Sequence, residues 1–168
     1  RRFKLVHVFN RSELIEVATF RSGEDSSNNG NLIKDTSGKI IRDNIWGDLE
    51  QDTYRRDFTV NALYYCPISQ KIVGHKDGMK HIHEKSIVSI GDPVKRFSED
   101  PVRSLRAIRF SNKLNFKIDK DIKEAIYEKG HLLSDISNAR LFDEFCKIFL
   151  SGMAEKNFNK LSSYGLSK

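Results

Sequence analysis

The chain has 168 residues, 29 Lys+Arg against 23 Asp+Glu, 31% charged and 38% hydrophobic, with a mean hydropathy of −0.53; it is neither a membrane span nor a disordered polyelectrolyte. Its 11 Phe and 5 Tyr supply apolar area for a core, and the length suits one domain or one and a half. No apolar run approaches the roughly 20 residues that cross a bilayer, and no signal-peptide pattern is visible, so a cytoplasmic address without membrane association is expected. Cys66 and Cys146 stand far apart and form no CxxC, which gives no support to a disulfide framework or zinc ribbon. The net charge of +6 permits a polyanionic partner without demanding one. The chain opens on Arg1-Arg2-Phe3 without Met, so an upstream portion is expected to exist.

In chain order, residues 3–9 and 14–20 are β-branched and aromatic and flank Asn10-Arg11-Ser12-Glu13, which predicts a β-hairpin. Glu16 interrupts the second strand. Alternation places it on the more apolar face, so it either pairs in a cleft or marks a strand edge facing water. Residues 22–39 gather Ser, Asn, Asp and Gly and read as a weakly ordered loop. Residues 44–65 carry apolar groups at Ile45, Leu49, Phe58, Ala62 and Leu63 around a charged middle; if the stretch is helical, Asp57 and Asn61 stand one turn apart on one face. From 66 to 94, Pro67, Gly74, Asp77-Gly78 and Gly91-Asp92-Pro93 predict turns and a minor strand, with His81 and His83 at strand spacing on the surface.

Beyond Pro93 the pattern turns helical. Ser98 is read as a cap with Pro101 in the first turn, ending near Asn112–Asn115; a second helix spans 119–129 and stops at Gly130. A third spans 138–150 with an apolar stripe of Leu141, Phe142, Phe145, Ile148 and Phe149, and a fourth begins at Ala154. The expected fold class is α+β: a β-containing part over residues 1–94 with a small antiparallel or mixed sheet, then a helical part over 95–168.

Two constellations carry chemistry. On a helical wheel, Arg106 and Arg109 share the side of Val102, Leu105 and Ile108, and a buried guanidinium needs carboxylate or phosphate oxygens, supplied by the fold or by a ligand. Asp100 and Arg103 lie close on the opposite side beside the small Ala107 and Ser111. They form either an i,i+3 ion pair or an acceptor and donor fork matched to the edge of a nucleobase. In Arg55-Arg56-Asp57, a carboxylate held ionised between cations could meet a ribose hydroxyl or a divalent metal, or belong to a surface charge cluster.

These pieces, in this order, resemble the class II nucleotidyltransferases of the polymerase-β superfamily, the bacterial poly(A) polymerases and CCA-adding tRNA enzymes. The matching strings are RRFKLVHV, IEVATFR at 15–21, RRDFTVNALYY at 55–65, GDPVKRFSEDPVRSLRAIRF at 91–110 and ARLFDEFCKIFLSG at 139–152. The long polar insertion before DNIWGDLEQDTYRRDF looks more like the poly(A) polymerase branch. The resemblance implies the later part of a catalytic palm followed by an all-α neck. The implied reaction adds AMP from ATP to RNA 3′ ends with Mg2+, and RNA and ATP are the implied partners. It assigns Arg56 and Asp57 to ribose and phosphates, with Asp57 in the catalytic acidic set. Asp100 and Arg103 would read the base, Arg106 and Arg109 would contact the bound nucleotide, and Arg140 to Glu144 would brace the neck. The family's upstream Asp-x-Asp, which holds the metals, has no match here. The resemblance therefore implies metal ligands outside this sequence and a chain inactive by itself. A CCA-adding enzyme and a non-catalytic RNA-binding module are the alternatives.

Overall fold

A computed structural model describes residues 5–22, 33–34, 40–42 and 46–166. The chain forms two compact units, residues 1–55 and 56–168. The first holds the hairpin of β1 (Leu5–Asn10) and β2 (Glu13–Ala18), antiparallel with Leu5 opposite Ala18 and Asn10 opposite Glu13. Arg11 turns the corner with φ 55°, in the left-handed region. β3 (Ile33–Lys34) pairs with β4 (Ile40–Arg42), and the remainder of the polar stretch 22–39, apart from Ser22, lies outside the described residues.

α1 (Leu49–Tyr54) closes this unit. Asp48 caps it by accepting from the Gln51 amide at 2.8 Å, while the Gln51 side chain accepts from the Asp48 amide at 3.1 Å, a reciprocal capping box. Asp52, 2% exposed, accepts from the Arg21 amide and from the Arg55 guanidinium. Gly47 lies so close to the Arg21–Ser22 peptide that an added Cβ would meet the Arg21 carbonyl carbon at 2.4 Å and the Ser22 nitrogen at 2.5 Å. Gly47→Ala is expected to destabilise this unit by about 2 kcal/mol or more, because only backbone could yield. Urea unfolding followed by Trp46 fluorescence checks it, and an unmoved midpoint would refute the close approach.

The second unit begins with an extended segment and a 3-10 turn (Thr59–Asn61), then the antiparallel hairpin of β5 (Leu63–Cys66) and β6 (Lys71–Gly74). α2 (Gly78–His83) leads to β7 (Ser86–Ile87), which pairs in parallel with β8 (Lys117–Ile118). Between them lie α3 (Pro93–Glu99) and α4 (Val102–Leu114). α5 (Lys120–Lys129), a 3-10 turn (Gly130–Asp135), α6 (Asn138–Phe149) and α7 (Ala154–Ser163) complete the helical assembly. The fold is α+β with small, mostly antiparallel sheets. One core joins Phe58, Ile87, Phe97, Leu105, Ile108, Ile122, Ile126, Ile148 and Leu161, so every major helix from α3 to α7 seats an apolar face in it. Among the described residues no helix is long and apolar enough to cross a membrane.

The structure corrects several local expectations. The helix expected over 44–65 ends at Tyr54; Asp57 and Asn61 still meet, at 3.1 Å, but across an extended segment and a 3-10 turn. The turns expected before Pro93 include a helix, α2, and His81 sits on it, its Nδ1 2.9 Å from Thr59 Oγ1. Ser98 lies inside α3 and does not cap the next helix. Asp92 caps α3 by accepting from the Lys95 amide, with Pro93 in the first turn. The helix breaks at Asp100 (φ −147°, ψ 91°) because the ring of Pro101 disfavours helical backbone in the residue before it. Asn115, at φ 55°, ends α4 as the sequence suggests. Glu16 faces solvent beside His7, at 3.4 Å with 61% of its side chain exposed, in a hairpin that is open on both faces.

Candidate functional site

The break at Asp100 decides what α3 and α4 can present. The Arg103 amide donates to the Asp100 carbonyl at 3.1 Å, but their side chains turn to other partners. The Asp100 carboxylate accepts from the Val102 amide at 3.2 Å and from Arg140 Nη2 of α6 at 2.6 Å. Arg103, with 15% of its side chain exposed, donates from Nη1 to the Arg96 carbonyl at 2.8 Å and to Glu99 Oε2 at 3.3 Å. Arg96 in turn donates from Nη2 to the carbonyl of Arg56, 40 residues away, at 2.7 Å. It also meets Glu99 at 3.3 Å, and its own carbonyl accepts from the Asp100 amide at 3.1 Å.

Arg96 is therefore the joint between the Arg56-Asp57 segment and the Asp100–Arg103 corner, and the sequence reading missed it. Backbone carbonyls have no signature in sequence, although the two-turn spacing from Arg96 to Arg103 could have prompted a search. Burial, and after it the neighbouring Arg103 charge, pull the Arg96 guanidinium below the ordinary arginine range. Arginine remains charged regardless.

Asp57 sits just before the 3-10 turn, 8% exposed. Its Oδ2 accepts from Arg106 Nε at 2.6 Å, and its Oδ1 accepts from the Phe58 amide at 2.9 Å and from Asn61 Nδ2 at 3.1 Å. Arg56 donates from Nε to the Tyr64 hydroxyl at 3.1 Å and lies over that ring. The two arginines on the apolar side of α4 both find carboxylates inside the fold: Arg106 on Asp57, and Arg109 on Glu144 Oε1 at 2.6 Å. Both also stack on Phe110, their guanidinium carbons 5.3 and 4.3 Å from the ring centroid. In each case Nε is committed, which leaves the terminal guanidinium nitrogens for other acceptors. Arg140 and Glu144, one turn apart on α6, reach Asp100 and Arg109 respectively and tie α6 to the α3–α4 region.

Among the described residues no three His, Cys, Asp or Glu side chains cluster as metal ligands. Both oxygens of Asp57 already face donors. Among the described residues the donor set does not fit Mg2+.

Residues 1–88 match the family model of the poly A polymerase head domain, and residues 115–168 match that of the probable RNA and SrmB-binding site of polymerase A. α3 and α4 fall between the two. Poly(A) polymerase I of Haemophilus influenzae is 44% identical over 167 residues, 99% of this chain and 37% of that protein. The CCA-adding enzyme of Lactococcus lactis subsp. cremoris is 41% identical over 103 residues, 61% of this chain and 25% of that protein. Among solved structures, the Bacillus stearothermophilus CCA-adding enzyme in complex with CTP superposes with a TM-score of 0.74 at 30% identity, over 98% of this chain and 37% of that one. The chain thus spans little more than a third of the length of the Haemophilus relative and of the Bacillus structure. With its head-domain match covering more than half of its residues, the chain belongs to the poly(A) polymerase family of nucleotidyltransferases.

Proposed function

We propose that this chain supplies the nucleotide-selecting and primer-facing parts of an enzyme that adds AMP from ATP to RNA 3′ ends, residues 1–94 belonging to the catalytic head and 95–168 to a helical neck. The observation that carries this reading is the coupling made by Arg96, which joins Arg56 and Asp57 to Asp100 and Arg103 across 40 residues of sequence. In this reading Asp100 accepts from the amino group of the base while Arg103 donates to the adjacent ring nitrogen. Asp57 addresses the ribose, and Arg56, Arg106 and Arg109 turn their remaining guanidinium donors to the phosphates.

An acceptor beside a donor suits adenine and cytosine, whose edges pair an amino donor with a ring-nitrogen acceptor. It rejects guanine and uracil, whose ring N–H and carbonyl reverse the pattern. That chemistry explains how ATP- and CTP-using relatives can share one corner. It also keeps CCA addition as the second reading, which the match to the Lactococcus CCA-adding enzyme favours. Mg2+ chemistry is assigned to residues other than these, since the donors present do not fit it.

The test is a chimera in which this chain replaces the matching residues of the Haemophilus Poly(A) polymerase I, supplied with ATP or CTP on a generic RNA and on tRNA lacking its terminus. AMP addition to generic RNA supports the reading; a preference for CTP on tRNA overturns it in favour of CCA addition. In the same chimera Arg103→Ala is expected to lower the preference for ATP over GTP about tenfold, while phosphate binding changes less. A uniform loss with all four nucleotides would contradict the base-reading role.

A further inference from the structure

α4 carries four cations, Arg103, Arg106, Arg109 and Lys113, and no carboxylate. The first three are answered by Glu99, Asp57 and Glu144. Lys113 is exposed, one turn beyond Arg109, and forms no ion pair among the described residues. Like charges at i,i+4 oppose each other on a helix, so this end of α4 holds positive charge that its own packing does not neutralise.

From α6, Lys147 arrives on the same side. Its ammonium lies 3.3 Å from Glu144 Oε2, and Glu144, with only 3% of its side chain exposed, is already bound to Arg109. Arg109 and Lys147 therefore share one carboxylate, and Lys113 adds a third cation to the lining of a hollow of about 380 Å3 between α4 and α6. Cys146, Leu150 and Met153 give its lining apolar and sulfur surface, and Ser151 adds a hydroxyl. A cationic rim over an apolar floor matches the demands of a single-stranded polynucleotide, whose phosphates seek ammonium and guanidinium donors while a base needs a surface to lie on. The volume lies within the ordinary range for a small-ligand pocket.

We propose that this hollow holds one nucleotide of a single-stranded RNA, its backbone phosphates met by Lys113 and Lys147. The choice of RNA as the polyanion rests on the function proposed above; the site itself rests on the charge excess and the hollow.

The test uses the 168-residue chain and a fluorescent 20-nucleotide oligoadenylate, with anisotropy read across a salt series. Lys113→Gln with Lys147→Gln is expected to weaken binding roughly tenfold at low salt and to make the salt slope shallower by about 1, whereas Lys113→Arg with Lys147→Arg keeps both near the unaltered values. Lys120→Gln, a charge removal on the exposed face of α5, serves as control and is expected to change little. Helical circular dichroism confirms that each variant is folded.

A second readout reports position. With Cys66→Ser in the background, the oligoadenylate is expected to slow alkylation of Cys146 at least about threefold, and free ATP at matched phosphate concentration is not. No binding by the unaltered chain, or an unchanged affinity and slope in the Gln pair, overturns the proposal. Equal loss in the Lys120 control, or protection of Cys146 by ATP or by an acidic peptide as strong as that by RNA, overturns it too. The base preference of the chimera does not depend on these lysines, so failure here and failure of the proposed reaction are told apart.

Discussion

Replacing Glu144 with Ala is expected to lower the stability of the helical unit by about 3 kcal/mol, one of the two largest effects in this chain. The carboxylate is 3% exposed and accepts from Arg109 Nε at 2.6 Å; Arg109 itself has only 13% of its side chain exposed. Removing one partner of a buried pair leaves the other desolvated and uncompensated, which costs more than the pair contributes. The second contact, to Lys147, adds little because 55% of that side chain is in water. Glu144→Gln keeps an acceptor for Arg109 and is expected to cost about 1 kcal/mol. Glu124→Ala, which removes an exposed i,i+4 pair with Lys120, is expected to stay within about 0.5 kcal/mol. Urea unfolding followed by helical circular dichroism decides, since Trp46 reports the other unit. A Glu144→Ala midpoint no lower than that of Glu124→Ala would mean the pair is not part of what holds α4 to α6.

That partnership shows what could and could not be read in advance. The need of Arg106 and Arg109 for anions followed from their position on the apolar side of α4. Which anions answer could not follow, because Asp57 and Glu144 lie 49 and 35 residues away and no local pattern links them. Elements bounded by local chemistry were legible: the hairpin around Arg11, α5 between Asp119 and Gly130, α6 with its apolar stripe, and the stop at Asn115. The stretch 44–65 could be read as helical because Leu49, Tyr54, Phe58 and Ala62 keep near-helical spacing, although the helix ends at Tyr54. Phe58 is instead extended and forms a bridge with Ser89. Treating Asp100 as helical overlooked the effect of Pro101 and suggested an ion pair that the backbone break prevents. The same break frees Asp100 for Arg140 and lets Arg103 turn back to Arg96. The corner proposed to read a base thus exists because one helix becomes two.

Asp57 carries the other large prediction. In the chimera, Asp57→Asn is expected to lower turnover at least about 100-fold, while KM for ATP moves by no more than about threefold. The carboxylate fixes Arg106 through Oδ2 and orients the start of the 3-10 turn through Oδ1. Asparagine can preserve the Phe58 contact, but it removes the charge that holds Arg106 in place. Two effects are therefore mixed in this substitution, loss of the carboxylate from the proposed ribose contact and release of a guanidinium. Arg106→Gln separates them. If Asp57 acts only through Arg106, turnover in the double variant equals that of Arg106→Gln alone; if it also meets the nucleotide, the double variant falls further. Substrates lacking the ribose 2′-hydroxyl sharpen the distinction, because direct contact predicts that Asp57→Asn narrows the preference for ATP over 2′-deoxy-ATP. Near-normal turnover in Asp57→Asn, with Arg106→Gln equally silent, would reduce the pair to a structural clasp between the 3-10 turn and α4.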